Sequence, residues 1–219
     1  MPEPSALRRL GLLLILPLLA ACAALPRAEP PPEVVARAMH ANGGDTEITL
    51  LTVVNNRTGS GDHSALLIAG SHRVIYDPAG TFQIPQAPRR GDVLFGASPA
   101  VEDVYLGYHA RETHHVVAHR LTLSPAQAEA ALAAAKAQRV AGPGFCAIRT
   151  GAVLRAIPGL EGLSGSPWPR RLADSFAALP GVEERRIFLE DVPPWARTRG
   201  PDAPPASPAA APATLATAG

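Results

Sequence analysis

Apolar and polar positions divide the interior of the chain into a strand-rich part followed by a helix-rich part. Residues 46–54, 64–69 and 73–77 are rich in β-branched and aliphatic side chains and are bounded by glycine, asparagine and aspartate. This pattern is typical of strands separated by turns. The short connection 70–72 predicts that the second and third of these segments form a hairpin. Its register pairs Ala69 with Arg73.

A second hairpin and three helices are predicted further along. Segments 103–108 and 115–123 have strand character around a polar turn at 111–113. Ser124 followed by proline starts a helix well, because serine caps free N–H groups and proline suits the first helical position. Proline–glycine pairs end the helical patterns. The predicted helices span 125–141, 145–157 and 169–179, with an edge strand near 186–189. We therefore expect an α+β domain with an antiparallel sheet and helices packed on one side.

The amino terminus has the pattern of an export signal. Two arginines precede an apolar stretch, 10–19, that is too short to span a bilayer stably. Residues 1–21 are therefore predicted to be a signal peptide. The sequence Leu19-Ala20-Ala21-Cys22 resembles the lipobox of bacterial lipoproteins, which implies cleavage before Cys22 and lipidation of its thiol. The alternative is an ordinary signal peptide with a chance cysteine.

Proline-rich segments flank the predicted domain. We expect 22–44 to carry the lipid and act as a tether, 45–192 to fold, and 193–219 to be a disordered tail. The following Ala23, under the sorting rule of enteric bacteria, favours the periplasmic face of the outer membrane. The membrane is then a partner through Cys22.

Composition excludes several classes of function. The net charge is only +1, without the clustered basic surface of a nucleic-acid-binding protein. Two cysteines cannot build a disulfide scaffold or a cysteine zinc cage. No segment indicates a cofactor, so none is predicted.

Cys146 is the only other thiol, and it begins a predicted helix after Pro143-Gly144-Phe145. The amino terminus of a helix favours a thiolate, which is the reactive form of cysteine. Cys146 is thus a candidate nucleophile. The alternative is a small buried residue that packs this helix against the sheet.

Two polar residues are candidates to assist Cys146. His63 enters an apolar strand directly after a polar loop, and Asp77 ends the neighbouring strand. In the predicted register both side chains lie on one sheet face at diagonal positions, about 7–8 Å apart at the backbone. A slip of one residue would separate them. The alternatives are a loop histidine and a turn aspartate before Pro78.

The segments DHSALLIAGSHRVIYDPAG and FCAIRTGAVLRAI resemble the histidine strand and the nucleophile helix of NlpC-type papain-like hydrolases. Because His63 precedes Cys146, the resemblance is to the circularly permuted branch that includes lecithin retinol acyltransferase-like proteins. It implies a permuted papain-like fold in which Cys146 is the nucleophile, His63 the general base and Asp77 the orienting residue. The implied reaction is attack on an amide or ester. Peptidoglycan and envelope proteins are candidate partners.

Two other functions stay open at this point. One is a non-catalytic envelope lipoprotein that serves as a binding or scaffolding module. The other is metal binding by the cluster His109, His114, His115 and His119. As a strand, this segment would place His115 and His119 on one face, which is an incomplete metal site; no metal ligands are therefore assigned.

Overall fold

A computed structural model of the chain describes residues 29–197, which form an α+β domain around an eight-stranded antiparallel sheet. The five α-helices of this part are α1 (Pro32–Ala38), α2 (Pro99–His109), α3 (Pro125–Ala137), α4 (Cys146–Arg155) and α5 (Pro169–Ala177). The strands are β1 (His40–Ala41), β2 (Glu47–Asn55), β3 (Gly61–Ala69), β4 (His72–Tyr76), β5 (Arg89–Arg90), β6 (Val93–Phe95), β7 (His114–Thr122) and β8 (Glu183–Ile187). Two short 3₁₀ helices, Leu189–Asp191 and Pro194–Ala196, follow β8.

The strands are ordered β5-β6-β4-β3-β2-β7-β8, and β1 pairs with β4. The hairpin of β3 and β4 has the predicted register, with Ala69 opposite Arg73. The predicted edge strand is also present as β8, which pairs with β7 and begins three residues earlier than expected. The short connection between β3 and β4 leaves little freedom for another register, so the local sequence was sufficient to predict the register of this hairpin.

Helices cover both faces of the sheet, and the prediction that they pack on one side is wrong. One core contains Leu50, Leu66 and side chains from α3, α4 and α5. The other contains Leu51, Leu67 and the α2 residues Val101, Tyr105 and Leu106. The central strands β2, β3 and β4 are apolar on both faces, which requires cover on each side.

The prediction of a strand at 103–108 is also wrong, because this segment lies in α2. Ser98 accepts a hydrogen bond from the backbone N–H of Val101, and Pro99 occupies the first turn. Val101 and Tyr105 are one helical turn apart and both point into the core. The valine and tyrosine content suggested a strand, but the cap and the helical spacing decide the structure.

The folded part begins before the predicted boundary at residue 44. Helix α1 and strand β1 lie between residues 32 and 41, and Val35 packs in the core. At the other end, Ala196 is buried beside Gly107 of α2. Cys22, the predicted signal peptide and most of the predicted tail lie outside the described residues. Among residues 29–197, no helix is long and apolar enough to cross a membrane.

Candidate active site

His63 lies near the start of β3, where the pairing with β2 is irregular. Val53 pairs with His63 but the next residue, Val54, pairs with Gly61, so Asp62 is an extra residue in β3. Such a bulge twists a strand and redirects its side chains. The His63 ring is held from one side by Asp77, whose Oδ1 accepts a hydrogen bond from Nε2 at 2.7 Å.

Asp77 follows β4 and is completely buried. Tyr105 of α2 donates its hydroxyl to Oδ1 at 2.9 Å, and Arg89 donates to Oδ2 and, at 3.0 Å, to the backbone carbonyl of Asp77. A side chain at Gly80 would overlap the carboxylate, which explains a glycine in the turn after Asp77. Tyr105 and Arg89 therefore hold the carboxylate in one orientation toward His63.

Cys146 is the first residue of α4 and is only 7% exposed. The loop before it turns at Gly144, which has φ of 81°, a value that favours glycine. Phe145 at the N-cap provides no side-chain hydrogen bond, and the first turn of α4 has no acidic residue. The thiol is hydrogen-bonded to His63 and to backbone groups of Ser64 and Ala147. The structure thus brings Cys146, His63 and Asp77 together in that order.

The three groups form a chain of opposite charges. Burial raises the pKa of the Cys146 thiol, but the hydrogen bond and charge of His63 outweigh it, so the pKa lies below its ordinary value. Burial likewise disfavours charged His63, yet the hydrogen bonds to Asp77 and Cys146 raise its pKa to about 9. Burial of Asp77 is overcome by His63 and then Arg89, and the pKa of Asp77 falls below its usual range. The arrangement therefore favours a thiolate–imidazolium pair.

Three further residues of this site were not assigned to it from the sequence; one of them, His109, was named there only as a member of the histidine cluster. Arg89 and Tyr105 bind Asp77, and the ring of His109 lies against that of His63, with 5.4 Å between centroids and an angle of 17° between planes. His109 is surrounded by Tyr105 and Tyr108. Burial and then the charge of His63 lower the pKa of His109 to about 3, so its ring is neutral. An i, i+4 pair, Tyr105 and His109, was the available signal, but only under a helical interpretation of this segment.

The four histidines of the sequence cluster do not converge. His114 contacts Asp62 at 3.0 Å, and His119 contacts Glu184 at 3.2 Å. His115 contacts Asn56 at 2.7 Å and stacks on Phe188. Only His109 reaches the site of Cys146. Because β7 begins at His114, the α2–β7 boundary separates His109 from the other three.

A cavity of about 660 Å³ lies near the back of the site. Arg89, which holds Asp77, is one of its lining residues, whereas neither Cys146 nor His63 lines it. The remaining lining residues are Glu29, Pro30, Gln83, Ile84, Pro85, Ala87 and Pro88. This cavity is thus distinct from the position of the thiol, and we assign the site from its polar geometry.

The chain matches no protein-family model, no curated protein and no solved structure.

Proposed function

We propose that this protein is a thiol hydrolase that cleaves an amide or ester through Cys146, His63 and Asp77. The observation that carries the proposal is the position of His63 between a buried, fixed carboxylate and a thiol at the amino end of a helix. Nucleophile, base and orienting group in that order are the arrangement that nucleophilic catalysis needs. The fold we propose for it is the circularly permuted papain-like fold.

The proposed reaction has two steps. In the first, the Cys146 thiolate attacks the carbonyl carbon, a C–S bond forms, and the bond to the leaving amine or alcohol breaks as His63 donates its proton to that group. In the second, water attacks the thioester while His63 takes its proton, which releases the acid and restores the thiolate. Asp77 holds the imidazole and stabilises its cationic form throughout. Free N–H groups at the start of α4 are available to the oxyanion.

Trapping of the acyl-enzyme tests this proposal. The purified full chain is mixed with p-nitrophenyl acetate, and we expect a burst of p-nitrophenol with an acetyl group on the peptide that contains Cys146. The Cys146→Ser variant should give no burst. A Cys22→Ala variant is the matched control, because it removes the other cysteine and should keep the burst. Acetylation at the rate of an ordinary thiol, unchanged in His63→Ala, would contradict the proposal.

The proposed location is the bacterial cell envelope, with Cys22 as a lipid anchor. The support is the sequence Leu19-Ala20-Ala21-Cys22 after an apolar stretch. In growing cells, an alkyne analogue of palmitate should label the protein. The labelled protein should be found in the membrane fraction. Labelling of Cys22→Ala at the wild-type level would contradict this location. Peptidoglycan stem peptides and envelope proteins are the substrates and partners that such an anchor brings within reach.

A further inference from the structure

Two buried nitrogens of the site have no hydrogen-bond partner within residues 29–197. They are Nε of Arg89, which can only donate, and Nε2 of His109, which lies in the wall of the site. Buried polar atoms in proteins are normally hydrogen-bonded, to protein or to ordered water. A buried, unpaired histidine nitrogen next to reactive groups points to a ligand of the site.

Two other possible metal ligands lie close to the ring of His109. One nitrogen of His63, one nitrogen of His109 and one carboxylate oxygen of Asp77 all lie within 4.8 Å of one another. Two ligand atoms on a tetrahedral zinc ion are about 3.4 Å apart. The His109 nitrogen must therefore approach the other two atoms by at most about 1.4 Å, whereas Nε2 of His63 and Oδ1 of Asp77, now 2.7 Å apart, must separate by about 0.7 Å. We infer that His63, His109 and Asp77 form a site for a borderline divalent cation such as Zn²⁺, which switches the thiol hydrolase off.

The ligand types select the class of metal. Two imidazole nitrogens and one carboxylate are a common set for zinc, whereas Mg²⁺ and Ca²⁺ prefer oxygen ligands. Here the other oxygen of Asp77 already binds the guanidinium of Arg89, which makes the carboxylate a poor ligand for a hard cation. The Cys146 thiol, hydrogen-bonded to His63, is a further soft group beside the set.

Other side chains already hold the carboxylate of this site. Tyr105 donates to the same Asp77 oxygen that His63 contacts, and Arg89 holds the other one. Such partners orient a ligating carboxylate and strengthen metal binding. Binding would replace the hydrogen bond between His63 and Asp77 by two metal–ligand bonds, and the proton of His63 Nε2 would go to solvent. His63 could then no longer act as a base for Cys146.

The metal-binding site stands independently of the proposed reaction, whereas its inhibitory effect rests on that reaction. Zn²⁺ alone is titrated into the purified full chain carrying Cys22→Ala, and binding is followed by calorimetry. We expect one equivalent per chain. His109→Phe keeps an aromatic ring but has no donor, and should weaken binding by more than about 100-fold, because loss of even an outer-shell partner costs about 10–100-fold. His109→Gln is a second variant in case the phenylalanine disturbs packing.

His114→Gln is the matched control, because His114 lies in the same sequence cluster but contacts Asp62 instead. Its Zn²⁺ affinity should stay within about twofold of the parent chain. Co²⁺ as a spectroscopic probe should give tetrahedral ligand-field bands that both His109 variants lose. No binding by the parent chain, or equal binding by the His109 variants, would overturn the site.

Alkylation of Cys146 by iodoacetamide separates this inference from the proposed function. In the parent chain one equivalent of Zn²⁺ should slow the reaction, whereas in His109→Phe the same addition should have no effect. If one equivalent of zinc binds but the alkylation rate of Cys146 does not change, the inhibitory role of the metal is overturned. If zinc binds as expected but Cys146 reacts at an ordinary thiol rate without it, the metal site stands and the hydrolase proposal fails.

Discussion

The amino ends of α3 and α4 both follow a loop and both pack on the same face of the sheet, but they are terminated in opposite ways. At α3, Ser124 accepts from the backbone N–H of Gln127, and Gln127 accepts from the N–H of Ser124. At α4, Phe145 provides no cap and no acid lies in the first turn. A capped end contributes stability, whereas the uncapped end leaves its positive potential to the Cys146 thiol.

At α4, contacts of the Cys146 thiol with the sheet take the place of a side-chain cap. The thiol is hydrogen-bonded to His63 and to the backbone of Ser64, both in β3, and also to the backbone of Ala147. His63 is in turn held by Asp77, and Asp77 by Arg89 and Tyr105. The amino end of α3 is therefore capped by residues within four positions of each other. The amino end of α4, where Cys146 lies, depends on contacts with distant parts of the chain.

Asp77→Asn should have the largest effect on this distant support. The substitution removes the nearer charge partner of the buried Arg89 guanidinium, which keeps only Asp92 at 3.8 Å, and it replaces the charged acceptor of His63 by a neutral amide oxygen. We expect a loss of about 3–5 kcal/mol in the free energy of unfolding, measured by urea denaturation. Glu102→Gln is the control, because its pair with Arg73 is partly exposed and should cost about 1 kcal/mol or less. Equal losses in both variants would contradict the special position of Asp77.

His63→Ala should return Cys146 to the behaviour of an ordinary thiol. Because His63 lowers the pKa of Cys146, thiolate persists in the wild type as pH falls, and His63 itself stays protonated up to about pH 9. Without His63, a thiol with pKa of about 8.5 is ionised to less than about 1% at pH 6. The iodoacetamide rate at pH 6 should therefore fall, and the pH profile of the rate should move to higher pH. A profile that does not move would exclude the ion pair.

Ser124→Ala tests the capped end. Loss of the serine hydroxyl removes one half of the capping box of α3, and we expect about 1 kcal/mol less stability in urea denaturation. The iodoacetamide rate of Cys146 should not change, because α3 contributes nothing to the thiol. Ser124→Asp, which retains a capping side chain, should restore most of the stability. A loss of thiol reactivity in Ser124→Ala would mean that the two ends are coupled.

Phe145→Asp introduces a charged cap at the uncapped end. Phe145 is 52% exposed, so that the substitution removes little packing. The carboxylate would compete for the N–H groups of the first turn and raise the pKa of Cys146 by an interaction of about 0.3–1 kcal/mol. The alkylation rate at pH 6 should therefore fall about two- to fivefold. Phe145→Asn, a cap without charge, should lower the alkylation rate less. A larger effect of Phe145→Asn than of Phe145→Asp would show that the charge of the capping residue does not control the pKa of Cys146.

Local sequence signals were sufficient where neighbouring residues decide the structure. The cap of α3, the end of α4 near Pro158-Gly159 and the hairpin register that pairs Ala69 with Arg73 all depend on residues within a few positions of each other. Helix α2 was missed because Val104, Tyr105 and Tyr108 favour strands by type. Its Ser98 cap and its burial against β3 and β4 outweigh that preference.

The same division applies to the candidate site. Cys146, His63 and Asp77 were selected from a helix start, a strand entrance and a strand end. Arg89, Tyr105 and His109 have no such local signal, since each reaches the site across the sheet or from a neighbouring helix. Arg89 and Tyr105 contact Asp77 across 12 and 28 positions of the sequence, and His109 contacts His63 across 46 positions.

By itself, the sequence determined the starts of α3, α4 and α5, the central hairpin and the three residues at which polar chemistry meets an element boundary, because these follow from short-range sterics and hydrogen bonds. Only the tertiary structure decided that helices cover both sheet faces, that Arg89 and Tyr105 fix Asp77, and that one histidine of four leaves its cluster for the site of Cys146. These outcomes are set by burial and by long-range packing, in which distant segments compete for the same apolar faces and buried charges find their partners.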